Sequence, residues 1–200
     1  MLQRAGLYLP ERSRLVNGNG PRAAAFLDRD GVIVEDVRYL HRVEQLRVLP
    51  GAAEALRRLQ ERFALVVVTN QSVVARGMVT EDGLQMIHDT LLTQLADAGA
   101  AIDAIYYCPH LPDAAVDAYR RDCDCRKPKP GLIERARREW NFDAAASVVI
   151  GDADRDVGAA RAAGLRCIVV RSHETVTEPA DWTVATLAEA ATIALGLESA

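Results

Sequence analysis

From residue 23 onward the chain repeats one pattern: a short apolar run, a polar break, then a stretch whose apolar residues recur every three or four positions. Short apolar runs read as strands buried on both faces, and the longer period reads as helices laid over them. Strands are predicted over Ala23–Leu27, Ala64–Val68, Ile102–Tyr107, Ser147–Ile150 and Arg166–Val170. Between the first two, Pro50-Gly51 opens a helix that puts Ala52, Ala55, Leu56 and Leu59 on one face. Thr80 is the expected N-cap of the next helix, with Glu81 and Asp82 at its positive end. Leu84, Ile87, Leu91 and Leu95 then form its apolar stripe. Further helices are predicted over Gly131–Trp140, Asp154–Ala163 and Leu187–Leu197. This alternation implies one α/β domain, residues 23–200, doubly wound around a parallel, Rossmann-like sheet.

Three segments stand outside the alternation. Residues 1–22 read as a partly ordered N-terminal arm that ends in the flexible stretch Asn17-Gly18-Asn19-Gly20-Pro21. Arg4, Glu11, Arg12 and Arg14 interrupt its apolar residues, so it is a poor signal peptide. Residues 32–48 read as a small flap. The segment from Cys108 to Lys129 is too polar for the core and too long for an ordinary connection, so something other than burial must order it.

The charge balance narrows the function. A net charge of -4 and a pI near 5.6 give no basic surface for nucleic acid, so any phosphate site must carry its positive charge locally. No apolar run approaches the roughly 20 residues that span a bilayer. A cytoplasmic monomer is expected, and there four cysteines read as thiols or metal ligands, not disulfides.

The polar residues with chemical potential follow the apolar runs, where an open parallel sheet forms its ligand crevice. One run leads into Asp28-Arg29-Asp30-Gly31, one into Thr69-Asn70-Gln71-Ser72 and one into Gly151-Asp152. Asp28 and Asp30, one residue apart on a tight turn, can face the same small volume. Two carboxylates so close resist joint ionisation without a cation, and Asp152 adds the third acid of a hard-cation site suited to Mg²⁺. One carboxylate can then attack phosphorus while the other acts as general acid and later as base. Thr69 would hydrogen-bond the phosphate oxygens, and Lys127 would neutralise their growing charge. A lone Asp-x-Asp is more often a turn or helix cap, but three strand ends together with Arg126-Lys127-Pro128 make coincidence a poor explanation.

Cys108-Pro-His110 and Cys123-Asp-Cys125 supply two compact ligand pairs. Thiolates with an imidazole make a closed tetrahedral zinc site, which would order the polar loop 108–125 because binding and folding are coupled. Cys125 runs straight into Arg126-Lys127, so zinc would also pin the backbone that carries Lys127. Cys167, inside an apolar run, reads as a core thiol.

These residues resemble the haloacid dehalogenase superfamily. Its four ordered motifs match Asp28-Arg29-Asp30-Gly31, Thr69-Asn70, Lys127 and Gly151-Asp152, over about Ala23 to Ala190. The resemblance implies that Asp28 is the nucleophile and Asp30 the acid/base. It also implies that Asp28, Asp152 and the backbone oxygen of Asp30 hold Mg²⁺. The stretch from Cys108 to Gly131, with Thr69-Asn70-Gln71-Ser72 and Ala75-Arg76-Gly77, further resembles the D-glycero-D-manno-heptose 1,7-bisphosphate phosphatases. That family lacks a large cap, uses its zinc loop to enclose the substrate, and acts on the C7 phosphate in nucleotide-heptose synthesis for lipopolysaccharide. The resemblance implies recognition of a small phosphorylated sugar by Arg126, with Arg29, Asp36, Arg38, Tyr39, Asn70, Gln71 and Ser72 around it.

Three departures touch the substrate side. Val37-Arg38-Tyr39 replaces the usual His-Gly-Tyr, Val73-Val74 replaces Gly-Ile, and Ala153 stands where a lysine commonly follows the metal aspartate. Histidinol-phosphate phosphatases share the zinc pattern but usually lack the Ser and the Ala-Arg-Gly, and they are the alternative within the same chemistry. A catalytically idle, zinc-stabilised binding module is the alternative outside it.

Overall fold

The computed structural model describes residues 6–10 and 22–197. Its centre is a seven-stranded sheet. Strands β2 (Ala24–Leu27), β3 (Ala64–Asn70) and β4 (Ala104–Cys108) run outward in one direction, with β1 (Leu7–Tyr8) beyond β4. From β2 in the other direction come β5 (Val148–Gly151), β6 (Arg166–Val170) and β7 (Trp182–Val184). Every neighbouring pair is parallel except β1 with β4. The chain therefore leaves β2 for one side and returns to the other, which places a topological switch between β2 and β5.

Alternate residues of each strand feed opposite layers. Ala25 and Leu27 of β2, Leu65 and Val67 of β3 and Ile150 of β5 pack with helices α1 (Ala52–Leu59), α3 (Glu81–Asp97) and α6 (Leu187–Gly196). Ala24, Phe26, Val66, Val68 and Val149 face α4 (Gly131–Trp140) and α5 (Asp154–Ala162). Leu56 and Leu91 are wholly buried, and each such side chain contributes about 1.5–3 kcal/mol by leaving water. The Thr80 hydroxyl accepts from the Gly83 amide and so caps α3 as the sequence predicts. Cys167 is a buried core thiol.

Several boundaries differ from the sequence reading. β3 continues to Asn70, because Thr69 and Asn70 still pair with Tyr107 and Cys108 of β4. The first cysteine of the zinc loop is consequently a strand residue. A one-turn helix, α2 (Ser72–Ala75), follows β3 directly. The flap is shorter than 32–48, since Val32, Ile33 and Val34 are fully buried. In the N-terminal arm, Leu7 is buried and Leu7–Tyr8 forms the antiparallel sheet edge, whereas Asn17–Pro21 lies outside the described residues. Neither β1 nor β7 carries an apolar run long enough to announce a strand. Among the described residues, no helix is long and apolar enough to cross a membrane.

Candidate active site

The switch point collects the chemistry. The amide of Asp28, the first residue beyond β2, donates to the Ile150 carbonyl of β5 (2.9 Å). Asp28 and Asp152 thus leave adjacent strands side by side, and Thr69 joins them from β3. All three are buried, and Asp28 and Thr69 line a cavity of about 500 Å³ together with Asp30.

Both carboxylate oxygens of Asp28 are held. Oδ1 accepts from the Arg29 amide (2.7 Å), and Oδ2 lies 2.9 Å from Lys127 Nζ. Burial alone would raise the Asp28 carboxyl, but the charges of Lys127 and Arg155, with hydrogen bonds from Lys127 and the Arg29 backbone, bring it below the ordinary carboxylate range. Lys127 is itself buried and sits 2.6 Å from Asp156 Oδ1. The attraction of Asp156 and Asp28 outweighs its desolvation and keeps it an ammonium. The other Asp156 oxygen accepts from the Asp152 and Ala153 amides at 3.2 Å each, at the start of α5.

Asp152 is fully buried, and its Oδ2 has no hydrogen-bond partner. Burial, then the charges of Asp28 and Asp156, push its carboxyl up to about 7. An unpaired buried oxygen among acids is a liability that a cation removes. Oxygens of Asp28, Asp152 and Asp156 lie within 4.8 Å of one another, a hard donor set that fits Mg²⁺. Asp152 supplies the one unpartnered oxygen of the set, and the resemblance described above pairs it with Asp28 as the carboxylates for the ion. Gly31 makes room for Asp152: its φ is +80°, and a Cβ there would meet Asp152 Oδ2 at 2.0 Å.

Around these acids the predicted substrate residues divide. Asp36, Arg38, Asn70, Gln71, Ser72 and Arg126 all line the cavity. Asn70, however, spends both ends of its amide on Lys127, accepting from its N–H (3.0 Å) and donating to its carbonyl (3.1 Å). Arg29, expected as a substrate contact, also borders the cavity, but it is wholly buried, and its guanidinium is turned to Asp30, Gln71 and His88. Gln71 donates to both Asp30 Oδ2 and Thr69 Oγ1 (2.8 Å each), which leaves the threonine hydroxyl proton for another acceptor. Tyr39 is not among the lining residues. Its ring packs on Val73, Val74 and Leu84, with Arg76 over its face at 5.0 Å. Arg38 holds a left-handed φ of +66°, with its amide bonded to Asp36 Oδ1 at 2.6 Å.

Sequence reasoning left Asp156 and Arg155 off the site. Asp156 has a signal in hindsight, four residues after Asp152 and one helical turn along. Arg155 has none beyond its charge, yet it lies 3.9 Å from Asp28 Oδ2 and 3.5 Å from Asp152 Oδ1, at the cavity wall. It places a cation beside the two acids, two residues beyond Ala153.

The four residues of the zinc loop do converge. Cys125 Sγ lies 3.1 Å from Cys108 Sγ, 3.2 Å from Cys123 Sγ and 3.3 Å from His110 Nδ1. Cys108 Sγ is 3.5 Å from Cys123 Sγ and 3.7 Å from His110 Nδ1. Donors around a tetrahedral zinc stand about 3.5–3.8 Å apart, so this nearly closed cage fits the ion with little adjustment. Burial favours the neutral, ligating form of His110. The hydrogen bond to Cys108 and burial push the Cys125 thiol far up, and bound zinc would reverse that by stabilising the thiolate. Arg126 Nη1 donates to the His110 carbonyl (3.2 Å), which ties the cage to the cavity wall.

Comparison with known proteins gives the family. The family model described as HAD-hydrolase-like matches residues 124–192. A D-glycero-beta-D-manno-heptose-1,7-bisphosphate 7-phosphatase of Yersinia pestis is 42% identical over 172 residues, covering 83% of this chain and 92% of the relative. The chain belongs to the heptose-bisphosphate phosphatase family. A family member from Photorhabdus laumondii that carries the alpha-anomer name is 37% identical, covering 78% of this chain and 87% of its own. The crystal structure of D,D-heptose 1.7-bisphosphate phosphatase from B. bronchiseptica, complexed with magnesium and phosphate, superposes with a TM-score of 0.73. It is 32% identical and covers 86% of this chain and 98% of that one.

Proposed function

We propose that this chain is a phosphomonoester hydrolase that removes the C7 phosphate of a D-glycero-D-manno-heptose 1,7-bisphosphate through a phospho-Asp28 intermediate. The observation that carries the reading is Asp28 itself: paired with Lys127, fixed at both oxygens, and lining a polar cavity. When bound at Asp28 and Asp152, Mg²⁺ would offset the repulsion between a carboxylate and a phosphate dianion.

The residues then divide the work. Asp28 attacks phosphorus as the phosphorus–sugar oxygen bond breaks, and the departing oxygen takes a proton from Asp30. Water next attacks phosphorus and yields its proton to Asp30 as the bond to Asp28 breaks. Thr69 and Lys127 donate to the transferring phosphoryl oxygens. Asp156 and Asn70 fix Lys127, by side chain and by backbone. A second phosphate in the same cavity would meet Arg38, Arg126 and Arg155 at the wall.

Zinc at Cys108, His110, Cys123 and Cys125 completes the reading as a structural ion. The test is kcat/KM for both anomers of heptose 1,7-bisphosphate, fructose 1,6-bisphosphate and histidinol phosphate. One of the heptose anomers should lead the series. Histidinol phosphate leading by tenfold, about 1.4 kcal/mol of transition-state preference, would remove the sugar-bisphosphate assignment.

A further inference from the structure

Behind the general acid lies a buried assembly that the proposed chemistry does not yet use. Arg29 Nη2 grips both oxygens of Asp30 at 2.9 Å, and Nε adds a third contact at 3.2 Å. Gln71 holds the same carboxylate and is itself held by Arg29 at 2.8 Å. The remaining arm of the guanidinium, Nη1, reaches His88 Nε2 at 3.2 Å. A guanidinium offers donors only, so His88 must be neutral and must accept at Nε2.

His88 belongs to α3, far along the chain from the catalytic turn, and is buried. Its ring packs with that of Tyr107, with centroids 5.7 Å apart, and with that of Tyr8 of the N-terminal strand at 6.1 Å. The Tyr8 hydroxyl donates in turn to Asp89, the next residue of α3. The imidazole therefore cannot swing away from Arg29 without disturbing two aromatic neighbours. Arg29 also gives its backbone N–H to the nucleophile, so one residue spaces Asp28 from Asp30.

We infer that His88 is a positioning residue for the acid/base Asp30, acting through Arg29. Its lone pair fixes the guanidinium, and the guanidinium fixes the carboxyl that must meet the leaving oxygen. The inference rests on the phosphatase reading, and its test separates the two.

A leaving group that needs no proton does not need Asp30 in the first chemical step. The kcat/KM values of wild type, His88→Leu and His88→Gln would be compared on an alkyl phosphate such as glycerol phosphate and on p-nitrophenyl phosphate, with Mg²⁺ present. His88→Leu removes the acceptor, and His88→Gln returns an oxygen near the position of Nε2. The leucine variant should lose at least tenfold on the alkyl ester and less than threefold on the nitrophenyl ester. Glutamine should recover most of the loss. Equal losses on both esters, no loss on either, or a glutamine variant no better than leucine would overturn the positioning role. If the leucine variant does not fold, His88→Met, whose thioether is only a weak acceptor, takes its place under the same outcomes. Selective loss on the alkyl ester supports the role, and equal losses or none overturn it. A wild type inert towards both esters and towards heptose 1,7-bisphosphate would instead defeat the phosphatase reading beneath it.

Discussion

Arg38 is a residue whose backbone and side chain pull in different directions. Its φ of +66° suits the glycine that the resembling family usually carries there, and an L side chain in that region costs roughly 1–2 kcal/mol. What the arginine adds is a cation on the cavity wall. Arg38→Gly should therefore leave stability unchanged or raise it by up to about 1 kcal/mol, because the relieved strain is partly offset by the chain entropy of glycine. The same change should lower kcat/KM on a sugar bisphosphate by about tenfold, the loss of one charge-assisted contact. Thermal melts and steady-state kinetics on the same preparation check both halves. A variant that is less stable and equally active would reverse the interpretation.

Among elements, the zinc loop connects a metal to the phosphate site. The loop has little apolar surface with which to order itself, and its chain continues without a break into Arg126 and Lys127. Cys123→Ser should reduce bound zinc from about one ion per chain, and should lower the Tm by about 5 °C or more, equivalent to roughly 2 kcal/mol for a domain of this size. Activity should fall with it, because Lys127 loses the support on its N-terminal side. Metal analysis, melting and turnover of the purified variant test this, and full activity with no zinc would contradict it. The elements themselves were legible in the sequence wherever burial on both faces left an uninterrupted apolar run, as in β2, β3 and β5. β1 and β7 were not, since they are short and sit at the sheet edges, where pairing and not composition makes the strand. The acids and the zinc ligands were legible because chemistry restricts their types. The inward turn of Arg29 and the place of His88 were not, because both depend on which side chains the fold brings together across α3 and β3.

For the molecule as a whole, the acid cluster at the switch point links metal, pH and stability. Asp152 rises to about 7 in the folded chain from an ordinary value of 3.8. A raised carboxyl means that the folded state holds its proton where the unfolded state has released it. In the metal-free protein Asp152 should thus contribute a loss of folding stability as pH climbs from about 4 to about 7. The buried neutral His88 contributes the opposite, so the Asp152 part is read as wild type minus Asp152→Asn. Mg²⁺ should abolish that decline, and its affinity should fall as pH drops below about 7, since the ion and the proton compete for Asp152. Chemical denaturation across this range, with and without Mg²⁺, reads the effect directly. A wild type whose stability followed pH no differently from that of Asp152→Asn would show that Asp152 does not carry it. The central claim remains that the whole arrangement serves attack by one carboxylate oxygen. Its most direct test is phosphate release from heptose 1,7-bisphosphate by Asp28→Asn, beside wild type and with Mg²⁺ saturating. The substitution keeps shape and burial but removes the charge and the nucleophile, so turnover should fall by at least about 10⁴-fold while the fold and zinc content persist. Turnover by a verified Asp28→Asn preparation within tenfold of wild type would contradict the account.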